Sequence, residues 1–261
     1  MNAPAASRPP PYVKVLFTPA DFAALRAEEL ADATCVVFDV LRATSTIVTA
    51  LANGAQAVIP VADIAEALSV RAEWPEVLLA GERNGLRIRA GATGGIEFDL
   101  GNSPREFVPE KVRGRTIVMT TTNGTRALRA CAGARAVLLS CFLNLGATAR
   151  FLAQHCPDRL LLVCSGTGAD AAWEDALAAG ALCGQLQGVF AEPALADSAH
   201  FAHEIYRAER RDLAASLRFS RNAQRLLAIP ELRGDVEFCL REDTLELVAG
   251  QAPGGEIRRL R

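Results

Sequence analysis

Seven short apolar runs punctuate the chain: Val13–Phe17, Thr34–Asp39, Ala57–Val61, Val77–Gly81, Thr116–Thr120, Ala136–Ser140 and Leu160–Ser165. Each is rich in Val, Ile or Leu, and none alternates strictly between apolar and polar positions. Strands buried on both faces read this way, because neither face has to meet water. Between most of them, apolar positions recur three and four residues apart, the helical period, over Ala43–Ala52, Ile64–Ala72, Leu143–Gln154 and Trp173–Gln187. Strands alternating with helices predict an α/β fold whose sheet, mainly parallel or mixed, is covered on both faces.

Two stretches echo one another. VVFDVLRATSTIVTALANGAQAVI (Val36–Ile59) and RTIVMTTTNGTRALRACAGARAVLL (Arg115–Leu139) each hold a strand, a Thr-rich turn, an Ala-rich helix and a return to strand. This predicts an internal duplication of a βαβ unit, with Gly54 and Gly133 at the helix C-caps. Gly81–Phe107 breaks the rhythm as a long Gly-rich connection of the kind that carries function or disorder. Ser103-Pro104 then supplies a helix start, with Ser as N-cap. Beyond Pro193 the pattern turns helical over Ala196–Ala208 and Leu213–Leu227. It closes on two strand-like runs, Val236–Leu240 and Leu245–Val248, expected to join the sheet.

Composition narrows this picture. The 261 residues suffice for a large core, and residues 12–261 are expected to form a single α/β domain behind an Ala/Pro-rich disordered arm, residues 1–11. Lys and Arg number 28 against 30 Asp and Glu, and a net charge of −2 argues against a nucleic-acid or membrane-surface partner. No apolar run approaches the ~20 residues that cross a bilayer, and the start lacks a signal-peptide core, so a cytoplasmic location is expected. The seven cysteines are scattered without a CxxC pair and are expected as small buried hydrophobes.

On open α/β sheets ligands bind beyond the carboxyl ends of the strands. Polar residues follow the strands in sets: Asp39, Arg42, Thr44, Ser45 and Thr46; Glu82, Arg83 and Asn84; Thr120–Arg126, with Asn123 and Thr125; Ser140 and Asn144; and Ser165–Gly168, with Thr167, leading to Asp170, Glu174 and Asp175. All are expected on one edge. Hydroxyls, helix N-termini and guanidinium groups make an anion cradle, while Asp39, Glu82 and Asp175 offer hard oxygens for Mg2+. Simpler roles exist for several: Ser45 and Thr46 could bond the backbone of their helix start, and Glu82 and Arg83 could pair with each other. Glu174 and Asp175 point about 100° apart on a helix, so at most one is expected to face the site. The three histidines fit surface or packing roles. GxxxxGK[ST] and GxSxG are absent, Asp39-Val40-Leu41 lacks the second Asp of aspartyl-phosphate phosphatases, and Asp170 stands where a cysteine phosphatase needs Arg after Cys164.

DVLRATSTIVTAL (Asp39–Leu51), GERNG (Gly81–Gly85), DLGNSP (Asp99–Pro104), TTTNGTRAL (Thr120–Leu128), CSGTGADAAWEDALAAG (Cys164–Gly180) and GDVEFC (Gly234–Cys239) occur in this order. Together they resemble the 2-phosphosulfolactate phosphatases, the ComB proteins of coenzyme M biosynthesis. The resemblance runs from Tyr12 to the final strands and departs at Ser165, where a smaller residue is expected. It implies a three-layer α/β/α fold and a phosphoric monoester hydrolase that cleaves 2-phospho-3-sulfolactate to 3-sulfolactate and phosphate with Mg2+. On that reading Asp39, Glu82, Asp175 and Glu174 are the metal ligands, and the first three are catalytic. Arg42, Ser45, Thr46, Arg83, Asn102, Asn123, Thr125, Arg126, Ser165 and Thr167 would bind the small anionic substrate. The alternatives are a phosphatase for another phosphorylated hydroxy acid, or a non-catalytic binder of an anionic metabolite. Ala-rich helices and an apolar C-terminal region would suit a homodimer.

Overall fold

The computed structural model describes residues 12–189 and 194–260. The expected arm, residues 1–11, lies outside the described residues. Strands are β1 (Tyr12–Leu16), β2 (Ala33–Phe38), β3 (Ala57–Pro60), β4 (Leu78–Arg83), β5 (Leu86–Arg87), β6 (Thr116–Thr120), β7 (Ala136–Ser140), β8 (Arg159–Cys164), β9 (Ala249–Gln251) and β10 (Ile257–Arg259). Helices are α1 (Pro19–Ala23), α2 (Ala27–Ala31), α3 (Ala43–Ala52), α4 (Ile64–Glu73), α5 (Pro109–Val112), α6 (Gly124–Ala130), α7 (Leu145–His155) and α8 (Trp173–Gln185). The C-terminal part adds α9 (Asp197–Glu209), α10 (Leu213–Ser216), α11 (Arg221–Ala228) and α12 (Arg233–Cys239). The seven sequence-predicted strands are all present, and helices flank the sheet to give the three-layer α/β/α arrangement. Among the described residues, no helix is long and apolar enough to cross a membrane.

The ten strands lie in the order β1-β8-β2-β7-β9-β10-β3-β6-β4-β5. They form two parallel blocks, β1-β8-β2-β7 and β3-β6-β4. The β9–β10 hairpin joins them, antiparallel to β7 on one side and to β3 on the other. Three successive antiparallel joints make the blocks run in opposite senses. The central order is palindromic: β8, β2, β7 and β9 mirror β4, β6, β3 and β10. The echoing segments are therefore β2-α3-β3 and β6-α6-β7, but neither is an ordinary βαβ crossover. Each helix carries the chain out of one block into the other, so β2 pairs with β7 and β3 with β6.

The strand ends consequently do not share one edge of a parallel sheet, as the alternation of elements suggested. The ends of β2, β4 and β6 still converge. Sheets twist by roughly 20–25° per strand step, and five steps separate β2 from β6, so the two blocks are strongly rotated against each other. The starts of α3 and α6 meet as a result. A methyl group built on Gly124 would lie 2.8 Å from the Ala43 Cβ.

Five local expectations need correction. The run Val236–Leu240 is not a strand: Asp235, Val236 and Cys239 are buried at helical spacing within α12. Leu245–Val248 precedes the strand, which begins at Ala249; the Leu245 N–H instead reaches Leu143 O at 2.8 Å. Leu213–Leu227 is broken into α10, a 3-10 turn and α11, because Ser220 caps α11 at the Ala223 N–H. Gly54 has φ of +92° beyond α3, whereas α6 ends earlier, with Cys131 as its C-cap, and Gly133 has no such conformation. The Gly81–Phe107 connection is ordered, since Ile88 and Phe98 fill a second core against Val77, Leu79 and Val118. Ser103 starts a single 3-10 turn without capping it. Six of the seven cysteines are buried, Cys156 is exposed, and none is in a disulfide.

Candidate active site

Asp39 follows the last residue of β2 and is fixed by the first turn of α3. Its N–H donates to Thr44 Oγ1 at 3.1 Å, its Oδ1 accepts from the Ala43 N–H at 3.2 Å, and its carbonyl accepts from the Thr44 N–H at 2.9 Å. Glu82, in β4, binds the turn after β6: its Oε1 accepts from the Thr122 N–H at 3.0 Å and hydroxyl at 2.9 Å, and its Oε2 from the Gly85 N–H at 2.7 Å. Both acids line a cleft of about 410 Å3, counted out to its open mouth, together with Arg42, Asn102, Thr121 and Asn123.

Glu174 and Asp175 are both buried at the start of α8, behind this wall rather than on it. Asp175 Oδ1 accepts from the Val40 N–H at 2.8 Å and Oδ2 from the Gly166 N–H at 3.2 Å, which ties together the turns after β2 and β8. Glu174 accepts from Ser220 Oγ at 2.6 Å and Asn222 Nδ2 at 2.7 Å. Of the eight oxygens on these four acids, Asp39 Oδ2 is the one without a hydrogen-bond donor among the described residues. Burial pushes the Asp39 carboxyl up to about 7; the Ala43 N–H opposes this, the Glu174 and Glu82 charges reinforce it, and Arg42 opposes it. Burial also raises Asp175 well above the usual carboxylate range, with Glu174 and Asp39 pushing the same way.

No three His, Cys, Asp or Glu side chains converge at metal-ligand spacing among the described residues. Magnesium ordinarily takes one or two protein carboxylates and keeps several waters. Asp39, with its open oxygen, and Glu82, on the same wall with a single donor on Oε2, fit that requirement. Asp175 and Glu174 lie behind the wall, out of the cleft.

The expected anion-binding groups divide. Arg42 lines the cleft, but its guanidinium is held from inside: Nη1 meets Asp235 Oδ2 at 2.7 Å and Nη2 meets Gly85 O at 2.6 Å. Asn102 Oδ1 and Thr121 Oγ1 are buried without partners, on residues that line the cleft. Arg83 and Arg126 are not on its wall; Arg83 bonds Glu82 O and Thr120 Oγ1, and Arg126 reaches Gly168 O. Ser45, Thr46 and Thr125 donate to Val40 O, Asn102 O and Thr121 O, so they hold the turns rather than face a ligand. Thr167 accepts from Asn222 Nδ2, and Ser165 Oγ is buried without a partner.

Asn222, Arg225 and Leu226 of α11 complete the cleft and were not picked out from sequence. The missed signal was the polar pair Asn222 and Arg225, one helical turn apart, directly after a capping Ser. Asp235 was also missed, although GDVEFC had been recognised as a motif. It is fully buried and takes Arg42 Nη1, Arg105 Nε at 2.7 Å and Ser103 Oγ at 2.6 Å.

These features define an α/β protein with a polar, carboxylate-walled cleft. The 2-phosphosulpholactate phosphatase family model matches residues 21–253. The chain is 39% identical over 224 residues to a probable 2-phosphosulfolactate phosphatase from Caldanaerobacter subterraneus subsp. tengcongensis, covering 84% of this chain and 88% of that protein. Proteins of the same description from Pseudothermotoga lettingae and Thermotoga maritima are 42% and 41% identical, over 82% and 85% of this chain and 87% and 90% of theirs. The chain belongs to the 2-phosphosulfolactate phosphatase family and is a phosphoric monoester hydrolase.

Proposed function

We propose that this phosphatase hydrolyses 2-phospho-3-sulfolactate to 3-sulfolactate and phosphate, and that it does so with Mg2+. The observation that carries the reading is the open Asp39 Oδ2, on one wall with Glu82 in a cleft that also holds Arg42 and the unpartnered Asn102 Oδ1. Family membership supports the substrate. Asp39 and Glu82 would hold the ion, which when bound supplies positive charge for phosphoryl oxygens and a place to order water. The buried carboxylates favour it: Asp39 is crowded by the Glu174 and Glu82 charges, and a divalent cation relieves that repulsion.

The chemistry left to the chain is positioning. With Asp39 Oδ2 given to the ion, the attacking water releases its proton to solvent as the new P–O bond forms. The ester P–O bond breaks, and the departing hydroxyl oxygen takes up a proton. Asp235 fixes the Arg42 guanidinium so that it lines the cleft in one orientation. Purified protein should release phosphate from phosphosulfolactate in Mg2+ and lose that activity in EDTA. Phosphate release that survives chelation would sink the magnesium requirement. No release from any ester in a panel of phosphorylated hydroxy acids would sink the substrate reading.

A further inference from the structure

Among the cations on the cleft wall, Arg42 is ion-paired at 2.7 Å with Asp235, an acid it shares with Arg105, and its side chain is only 2% exposed. Arg225, on α11, lines the same cleft and makes no ion pair among the described residues. Its sole described partner is the Asn222 side-chain oxygen, which accepts from Arg225 Nη2 at 2.9 Å. Nη1 and Nε have no partner among the described residues, so one edge of the planar fork is open.

Asn222 is not free to turn. Its amide nitrogen donates to Glu174 Oε1 at 2.7 Å and Thr167 Oγ1 at 2.8 Å. An ionised carboxylate only accepts, so Glu174 fixes which way the amide lies. The reversed amide would set oxygen against the carboxylate and NH2 against the guanidinium. Ser220 donates to the other Glu174 oxygen and caps α11, which anchors the helix to the same acid. A buried acid, an oriented amide and an unpaired guanidinium thus form one relay ending at the cleft.

We propose that Arg225 is the specificity residue of the cleft. It reads a second anionic group, sulfonate or carboxylate, on an ester whose phosphate lies toward Asp39 and Glu82, and Asn222 is its positioning residue. The substrate class rests on the phosphatase reading; the geometry of the relay does not. A guanidinium fork matches a planar or tetrahedral oxyanion and rewards it with charge-assisted hydrogen bonds. An ester with a neutral tail leaves Arg225 unused and gains nothing from it.

Two measurements decide this. The first is the ratio of kcat/KM for phosphosulfolactate to that for glycerol 2-phosphate, a secondary phosphate ester without a second anion. In Arg225→Ala the ratio should fall at least about tenfold, the effect of losing a charge-assisted contact. Asn222→Ala should lower it in the same direction, and adding it to Arg225→Ala should lower the ratio little further, because the two act as a unit. An unchanged ratio in Arg225→Ala overturns the proposal. The second is titration of 3-sulfolactate, which needs no turnover: Arg225→Ala should weaken its binding at least about tenfold. Equal affinity in the two proteins, or no binding to the unmodified chain, overturns the proposal. If the unmodified chain hydrolyses no ester, the phosphatase reading fails, and the titration alone decides the role of Arg225.

Discussion

At the scale of single residues the determining fact is that four acids crowd a buried place with limited compensation. Asp39 shows the consequence. Its carboxyl, ordinarily near 3.8, is pushed up to about 7 in the folded chain, first by burial. Between those values the Asp39 carboxyl binds more protons in the folded state than in the unfolded one, so its contribution to stability is fully present below about 4 and is lost as pH rises through 7. In EDTA, the melting temperature should therefore fall from pH 5 to pH 8. Asp39→Asn should flatten that fall and melt higher than the parent at pH 8, while lowering kcat at least about a hundredfold. A variant that melts lower at pH 8 and turns over normally would remove Asp39 from the centre of the site. Asp39 could be found from sequence because a carboxylate directly after an apolar strand has few structural uses. The roles of Ser45, Thr46 and Thr125 could not be told apart there, since a hydroxyl at a helix start bonds backbone or ligand equally well.

At the scale of elements, the site depends on how closely two helix starts approach. Gly124 opens α6 against the opening of α3. A Cβ there would lie 2.7 Å from Asp39 Oδ2 and 2.8 Å from the Ala43 Cβ, closer than real Cβ atoms come. Gly124→Ala should cost about 1–3 kcal/mol in urea unfolding, the usual penalty of overpacking. Activity should drop further, on the order of a hundredfold, because the shift falls on the Asp39 carboxylate proposed to hold the metal. A folded variant with full activity would show that Asp39 can move without consequence. The strand-end residues Asp39 and Glu82 and the Thr-rich turn were legible because they follow recognisable strands. Helix α11 was not, because Leu213–Leu227 carries an unbroken amphipathic pattern. The break is capped locally by Ser220 but is tied down by a tertiary bond to Glu174, 46 positions away in sequence, and that bond no local pattern contains.

At the scale of the whole molecule, hydrophobic patterning revealed which segments are strands and left their directions open. Burial on both faces looks the same in either sense, so the two opposed blocks and the exchange of second strands between the echoing units had no signature. The joint itself was also hidden, since β9 and β10 are three residues each, too short to show a period. Yet within the sheet this hairpin is the only strand-to-strand hydrogen-bonded link between the blocks among the described residues. On the β3 side it rests on the register of Ile257 with Val58, where Ile257 is fully buried. The cleft takes Asp39 from one block and Glu82 from the other, so its geometry depends on that joint holding. Ile257→Ala should cost about 2–5 kcal/mol, the usual range for truncating a buried Ile. Because the core spans both blocks, loss of circular dichroism and loss of tryptophan fluorescence should still coincide in one urea transition. Two separated transitions would mean that each block folds by itself and that the hairpin merely tethers them. In that case Ile257→Ala would abolish activity well before the first block unfolds, a pattern that a shared core does not permit.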